Sequence, residues 1–452
     1  MKTRLEFEIG FGKGDIDATD ADEPSRILII GDFSGAGSRP DASADDIWQN
    51  ARIRRIDIDN LDQVLAAIAP SALIPWNGGQ ETLTFGSLED FDADAIFRRS
   101  ALITAIKTRP APPATAPANP AGHTDTGEDR SDMLERLLGK APDTHRSPGE
   151  ILIEQIVSPS LDQATPAEPT AGWDIGALTA GLRALLHAPA LQSLEADWRA
   201  LHWLVSQIES DEDARCFLLD MPKQAFAGLT DDAIRPLREK LMDAGALADD
   251  GSGLSLILGS YYFDDSDEDY HCLERAASLA HALHTHFLAA ADAGLLGYAD
   301  YAEAAAMDWQ PNETAAEHWR AFRHTPAAES IALALPRVLL RAPYGKHGEA
   351  LDSFDFEEMD ATPPHSAYLW GNPAYALAIG LLSESDAQTL DDMPMHVYTE
   401  DGEKHIKPCA ELWTSEAPVH KLMQLGFTPV ASIRNQNAIR VFSPRAVASG
   451  AA

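Results

Sequence analysis

Arg26-Ile27-Leu28-Ile29-Ile30-Gly31-Asp32 is the stretch on which the fold turns. A short apolar run ended by glycine and aspartate reads as a buried strand. Downstream, Arg52-Ile-Arg-Arg-Ile-Asp-Ile-Asp59 largely alternates polar and apolar positions, as a strand with one wet face would. Asn60 is placed to cap a helix in which Leu61, Val64, Leu65 and Ile68 recur at helical spacing, until Pro70 stops it. Thr82–Phe85 reads as a further strand and Phe91–Ile106 as helical. Residues 1–108 therefore read as a small α/β unit.

Proline sets the boundary. Ten of the 29 prolines fall between Pro110 and Pro169, among alanine, threonine and serine, so 109–172 reads as an extended linker. Beyond it, residues 173–452 form a larger unit. Ile175–Leu186 and Leu191–Ile208 have helical periodicity, with Pro189 between them. Arg215–Leu219 and Leu254–Leu258 are short apolar strands, and His271–Ala291 and Glu313–Phe322 read as helical. Ile331–Leu335 and Val338–Arg341 bracket Pro336. Strands alternating with helices predict an α/β (α+β) class, with helices flanking a mixed sheet. Trp198, Trp203, Trp319 and Trp370 are expected to fill cores between helices and sheet. No internal repeat is evident.

Composition narrows the function. At 452 residues the chain has room for roughly three domains. Its 45% hydrophobic content supports a sizeable core. Against 71 Asp plus Glu stand 35 Lys plus Arg, a net charge of −36. Such a chain repels phosphate backbones and anionic membranes, so neither nucleic acid nor membrane insertion is expected. Cys216, Cys272 and Cys409 are far apart and form no metal-type pair, which suits buried thiols in a reducing compartment. Acids interrupt the N-terminus where a signal peptide needs an apolar core, and no run of 18 apolar residues occurs, so the expected location is the cytoplasm.

Each candidate chemistry fails on spacing. Gly31-Asp-Phe-Ser-Gly35-Ala-Gly37 follows a strand, but the third glycine of a dinucleotide loop would fall on Pro40, and Gly12-Lys13 is followed by Gly14 instead of Ser or Thr. His281 and His284 are one helical turn apart, with His271, His286 and Cys272 nearby, but further ligands on the same helix cannot converge on one ion. Asp264–Asp269 resembles a calcium loop in charge alone: counted from Asp265, Tyr270 stands where glycine is required and Ala276 where glutamate is. Those acids favour the start of a helix instead. Asp355 and Glu357 share a face if Phe354–Glu358 is a strand, which on an open face makes them surface groups or salt-bridge partners. Gly-x-Ser-x-Gly and His-Glu-x-x-His are absent. No enzyme, metal or cofactor is expected. In the linker, Ser131-Asp132 can cap a short amphipathic segment with Met133, Leu134, Leu137 and Leu138 on one stripe, a form suited to docking in a partner's groove or to packing back on its own domain.

These stretches resemble the two sheath proteins of the bacterial type VI secretion system, joined in one chain. Ile27–Gly35, Arg54–Asp62 and Leu83–Phe91 are similar to the small subunit (TssB/VipA-like). Leu194-Glu-Ala-Asp-Trp-Arg-Ala-Leu-His-Trp-Leu-Val205 and Leu258-Gly-Ser-Tyr-Tyr-Phe-Asp264 resemble the large subunit (TssC/VipB-like). So do Leu335-Pro-Arg337, Arg341-Ala-Pro-Tyr-Gly345, Phe354–Glu358 and Tyr368-Leu-Trp-Gly-Asn-Pro-Ala-Tyr375.

The resemblance implies a non-enzymatic structural subunit that assembles with itself or other sheath subunits around an inner-tube protein, meets baseplate components, and drives effector delivery by contraction. It also implies an AAA+ disassembly ATPase that engages the region of Met133, Leu134, Leu137 and Leu138. Two departures are expected: the small-subunit half lacks a long C-terminal helix, and the large-subunit half stops at Ala452 without the family's C-terminal portion. The second departure carries an alternative, an accessory module that caps, seeds or regulates a sheath built from separate full-length subunits. Fusion itself implies one-to-one stoichiometry and a high effective concentration of the two halves.

Overall fold

The computed structural model describes residues 24–39, 44–76, 79–108, 173–208, 214–248, 253–346, 348–360, 364–382, 389–400, 403–411 and 416–448. The apolar run Ile27–Ile30 lies in strand β1 (Ser25–Gly31), with Ile27, Leu28, Ile29 and Ile30 fully buried. After it come β2 (Ile53–Ile56) and a hairpin of β3 (Ser71–Trp76) with β4 (Gly79–Thr84). Beyond the linker are β5 (Ala214–Asp220), β6 (Leu256–Phe263), β7 (Phe287–Ala291), β8 (Ile331–Leu335) and β9 (Val338–Arg341). The last group is β10 (Leu369–Gly371), β11 (Thr389–Leu390), β12 (His396–Glu400), β13 (Glu403–Lys407), β14 (Thr428–Ser432) and β15 (Ile439–Val441).

One nine-stranded sheet organises the molecule, in the order β11-β15-β14-β8-β7-β6-β1-β5-β2. The run from β5 to β14 is parallel, and β2, β15 and β11 are added antiparallel at the margins. Parallel strands covered on both faces need no polar alternation, which is why β7 (Phe-Leu-Ala-Ala-Ala) and β8 (Ile-Ala-Leu-Ala-Leu) are buried at every position. Leu28 and Ile30 join the core with Phe226, Leu273 and Trp319 on one face. Ile27 and Ile29 alternate to the other, where helices Pro189–Ser206 and Ala374–Leu382 pack.

The stretches on either side of the linker meet in this sheet. β1 lies between β5 and β6, with Ile27 opposite Cys216 on one side and Leu256 on the other. Among the described residues, those up to Ile106 and those from Ile175 onward form one compact unit.

Several expectations need correction. The helix from His271 is Asp267–Ala282, ending before His284, whose φ of 53° is left-handed; Phe287–Ala291 is then strand β7. A short apolar run without alternation reads equally well as helix or buried strand, and here the sheet claims it. The apolar strand expected from Leu254 starts at Leu256 and runs on to Phe263. Asn60 precedes the helix Leu61–Ile68, but its side chain pairs with Asp57 and caps nothing. Trp203 is partly exposed, whereas Trp198, Trp319 and Trp370 are buried. Phe354–Glu358 is not a strand, although its burial alternates: Phe354, Phe356 and Glu358 point inward, Asp355 and Glu357 outward. The three cysteines are free and buried.

Candidate functional site

The helix Pro189–Ser206 is where the large-subunit-like motifs converge. Pro189, expected to separate two helices, occupies its first turn, where a missing N–H costs nothing. Leu191, Leu194, Trp198, Leu201 and Val205 form its buried face. The Trp198 indole donates to the Phe33 carbonyl at 2.9 Å and meets the Phe33 ring edge-on at 5.4 Å. Helix and β1 terminus are thereby held together across the sequence gap.

Beside that contact runs a chain of buried charges. Glu195 is fully buried, and its Oε1 accepts from Arg199 Nε at 2.7 Å and Arg341 Nε at 2.9 Å. Arg341 also donates to both oxygens of Glu358, at 2.8 and 3.2 Å. Glu358 further accepts the Tyr344 backbone N–H at 2.8 Å and lies 3.4 Å from His187 Nε2. Arg199 reaches Asp92, in the stretch before the linker, at 3.0 Å. Burial pushes the Glu358 carboxyl up, but Arg341, His187 and the Tyr344 N–H outweigh it and bring it down to about 2. Arg341 is held charged: against desolvation, Glu195 and Glu358 raise its pKa. A guanidinium shared between two buried carboxylates fixes its neighbours in direction as well as distance.

The segment from Gly345 to Asp360 forms a strap over helix Ala93–Arg99. Asp94 accepts from the Asp352 N–H (2.7 Å), the Ser353 N–H (3.1 Å) and the Ser353 hydroxyl (2.6 Å). Phe97 packs on Phe354 with ring centroids 4.8 Å apart. Arg183 anchors the far end through the Glu357 carbonyl (2.7 and 2.9 Å) and Asp360 (2.5 Å). Asp355 and Glu357 are both exposed, as surface groups should be; Asp355 pairs with Lys346 at 3.1 Å, and Glu357 accepts the Lys346 backbone N–H at 3.2 Å.

At the carboxyl ends of β1, β5 and β6 the chain order of the parallel strands reverses, the usual ligand crevice of an open α/β sheet. Here side chains of the protein use that place. The Asp32 carboxylate accepts the N–H groups of Ala36 and Gly37, both at 2.8 Å, as a phosphate would. Asp220 accepts the Ser34 N–H at 2.9 Å. Asp197, from the Trp198 helix, accepts the Ser260 hydroxyl at 2.5 Å. Burial, joined by repulsion from Asp32, pushes the Asp197 carboxyl up to about 8, against the Ser260 bond.

His281 is exposed in the last turn of its helix, His284 is exposed just beyond it, and His271 pairs with Glu274 at 3.4 Å. Among the described residues, no three acidic, histidine or cysteine side chains gather to hold an ion. The Asp264–Asp269 acids open helix Asp267–Ala282, which Ser266 caps at the Asp269 N–H. Met133, Leu134, Leu137 and Leu138 lie outside the described residues. Sequence alone gives Glu195, Arg341 and Glu358 no role. Their one local signal is Glu195 with Arg199 at i, i+4, on a helix whose neighbouring positions are apolar.

This geometry is that of an internal scaffold, with charges spent on one another. The chain belongs to the tail sheath N-terminal domain family (VipB; EvpB/VC_A0108), which matches residues 176–448. It is similar to the type VI secretion system sheath protein TssC1 of Pseudomonas aeruginosa, with 30% identity over 285 residues, 57% of this chain and 56% of that protein. The chain thus spans about half the length of the curated relative it matches. β1, an interior strand of the sheet, precedes the family match. No helix among the described residues is long and apolar enough to cross a membrane.

Proposed function

We propose that this chain is a small and a large sheath subunit fused into one structural subunit of a type VI secretion contractile sheath. It assembles around an inner tube and drives effector delivery by contraction. One observation carries this reading: β1, from the stretch resembling the small subunit, pairs with both β5 and β6 of the stretch matching the sheath family. Fusion keeps the two contributors to one sheet at fixed stoichiometry and high effective concentration. Energy for contraction resides in a lattice with two packings, and no catalytic residue is required. Inner-tube protein and baseplate components are its partners. The stripe Met133, Leu134, Leu137 and Leu138 is the segment we assign to an AAA+ disassembly ATPase.

Electron microscopy of the protein, alone and mixed with its inner-tube partner, tests the reading. Hollow tubes or stacked rings are expected. Discrete particles under both conditions would overturn it in favour of an accessory module acting on a sheath of separate subunits.

A further inference from the structure

The hairpin β12–β13 pairs with no other strand of the described residues. Its ends are pinned and proline-flanked. Met393, before Pro394, is buried and donates its N–H to the Asn437 carbonyl at 2.8 Å. After Pro408, the Cys409 carbonyl accepts the Leu339 N–H at 2.7 Å. A hairpin of this size has little stability of its own, so its position depends on what one face touches. That face carries His396, Tyr398, His405 and Lys407, while Val397 on the other is exposed.

Lys407 is the main hold. Its ammonium lies 4.6 Å from the Tyr368 ring centroid and 5.8 Å from that of Trp370. It also contacts His365 Nδ1 at 2.9 Å. An ammonium only donates, so His365 Nδ1 must be the acceptor, and the imidazole proton sits on Nε2, which meets Glu411 Oε1. Glu411 is fixed in turn by Arg337, through Nε at 3.1 Å and an NH2 nitrogen at 2.7 Å. The His365 ring rests 4.9 Å from Trp370. A proton added to His365 can go only to Nδ1, which removes the acceptor and sets an imidazolium against an ammonium.

We propose that hairpin β12–β13 is a pH-sensitive arm, latched to the Tyr368–Trp370 floor while His365 is neutral and released when His365 is protonated. The charged and titratable groups around the latch are Lys407 from β13, Glu411 beyond it, Arg337 after β8, and Tyr368 with His396 and Tyr398 of β12. Burial already lowers the Lys407 pKa, so a second positive charge beside it is poorly tolerated. Glu411 favours the imidazolium, but its hydrogen bond to Nε2 exists in both states and cannot restore the lost acceptor. His396 is not the switch: its Nδ1 meets the Tyr368 hydroxyl at 2.8 Å, and a hydroxyl can donate or accept. His405 stacks on Tyr398, a contact that needs no particular protonation state.

Hydrogen exchange of the full chain, corrected for the intrinsic pH dependence of exchange, reads the arm directly at residues 396–407. Between pH 8 and pH 5.5, wild-type protection there should fall roughly tenfold while β1 is unchanged. His365→Gln keeps a neutral donor and acceptor and should flatten the profile. Lys407→Gln, whose amide accepts as well as donates, should flatten it too if His365→Gln folds poorly. His396→Gln should retain the wild-type dependence. A flat wild-type profile, or an equal loss of protection in His365→Gln and Lys407→Gln, would overturn the proposal.

Discussion

The seam at Glu195–Arg341–Glu358 and the latch at Lys407–His365–Glu411 use the same chemistry with opposite consequences. In the seam Arg341 is buried between two buried carboxylates, one of which also pairs with Arg199, so its contacts do not depend on a group that changes charge near neutral pH. In the latch the central group is a histidine whose lone pair faces an ammonium, so one proton unbalances it. A guanidinium between carboxylates makes a fixed joint, whereas an imidazole between a carboxylate and an ammonium makes a conditional one.

The comparison breaks first at Arg341. Replacing it with Met leaves buried Glu358 without its guanidinium and Glu195 with Arg199 alone, and we expect a loss of about 3–5 kcal/mol, read as a collapse of the denaturant midpoint or as insoluble protein. Loss under 1 kcal/mol would mean that the seam is not an ionic joint.

Acid tests the same joint more gently. Because its folded pKa of about 2 lies below the ordinary 4.5, Glu358 stabilises the fold above pH 4.5 and ceases to as pH falls through 4.5 toward 2. That shift is worth about 3 kcal/mol. Glu358→Gln should therefore have a shallower stability profile across that window in urea titrations.

Asp197 has the opposite sign. Its folded pKa near 8 exceeds the ordinary 3.8, so the native state holds the extra proton and stability falls as pH rises from about 4 to 8. Asp197→Asn, which can still accept from Ser260, should gain stability relative to wild type as pH rises. Each pKa unit corresponds to about 1.4 kcal/mol, and urea midpoints at pH 5 and pH 8 measure the gain.

The smallest effect is expected at the latch. Tyr368→Phe loses the bond to His396, about 1 kcal/mol, and should loosen β12 in hydrogen exchange without moving the global midpoint.

Much of the sheet was legible. Ile27–Ile30 announced a buried strand because a continuous apolar run has one obvious home in a parallel sheet, and the helix Ile175–Leu186 matched its periodicity. β7 is not legible as a strand, because Phe-Leu-Ala-Ala-Ala carries no alternation to separate strand from helix. The place of β1 between β5 and β6 was not legible, since strand order depends on long-range pairing. Nor was the ion network: Glu195 and Arg341 are 146 positions apart, and a glutamate in an amphipathic helix looks like a surface residue until its arginine arrives.

The central claim is that the stretches on either side of the linker make one folding unit. A protease site placed in 109–172, cut after purification, tests it most directly by size-exclusion chromatography of the cleaved protein in native buffer. The two fragments should elute together as one particle and separate only in denaturant. Elution as two independently folded species would contradict the account.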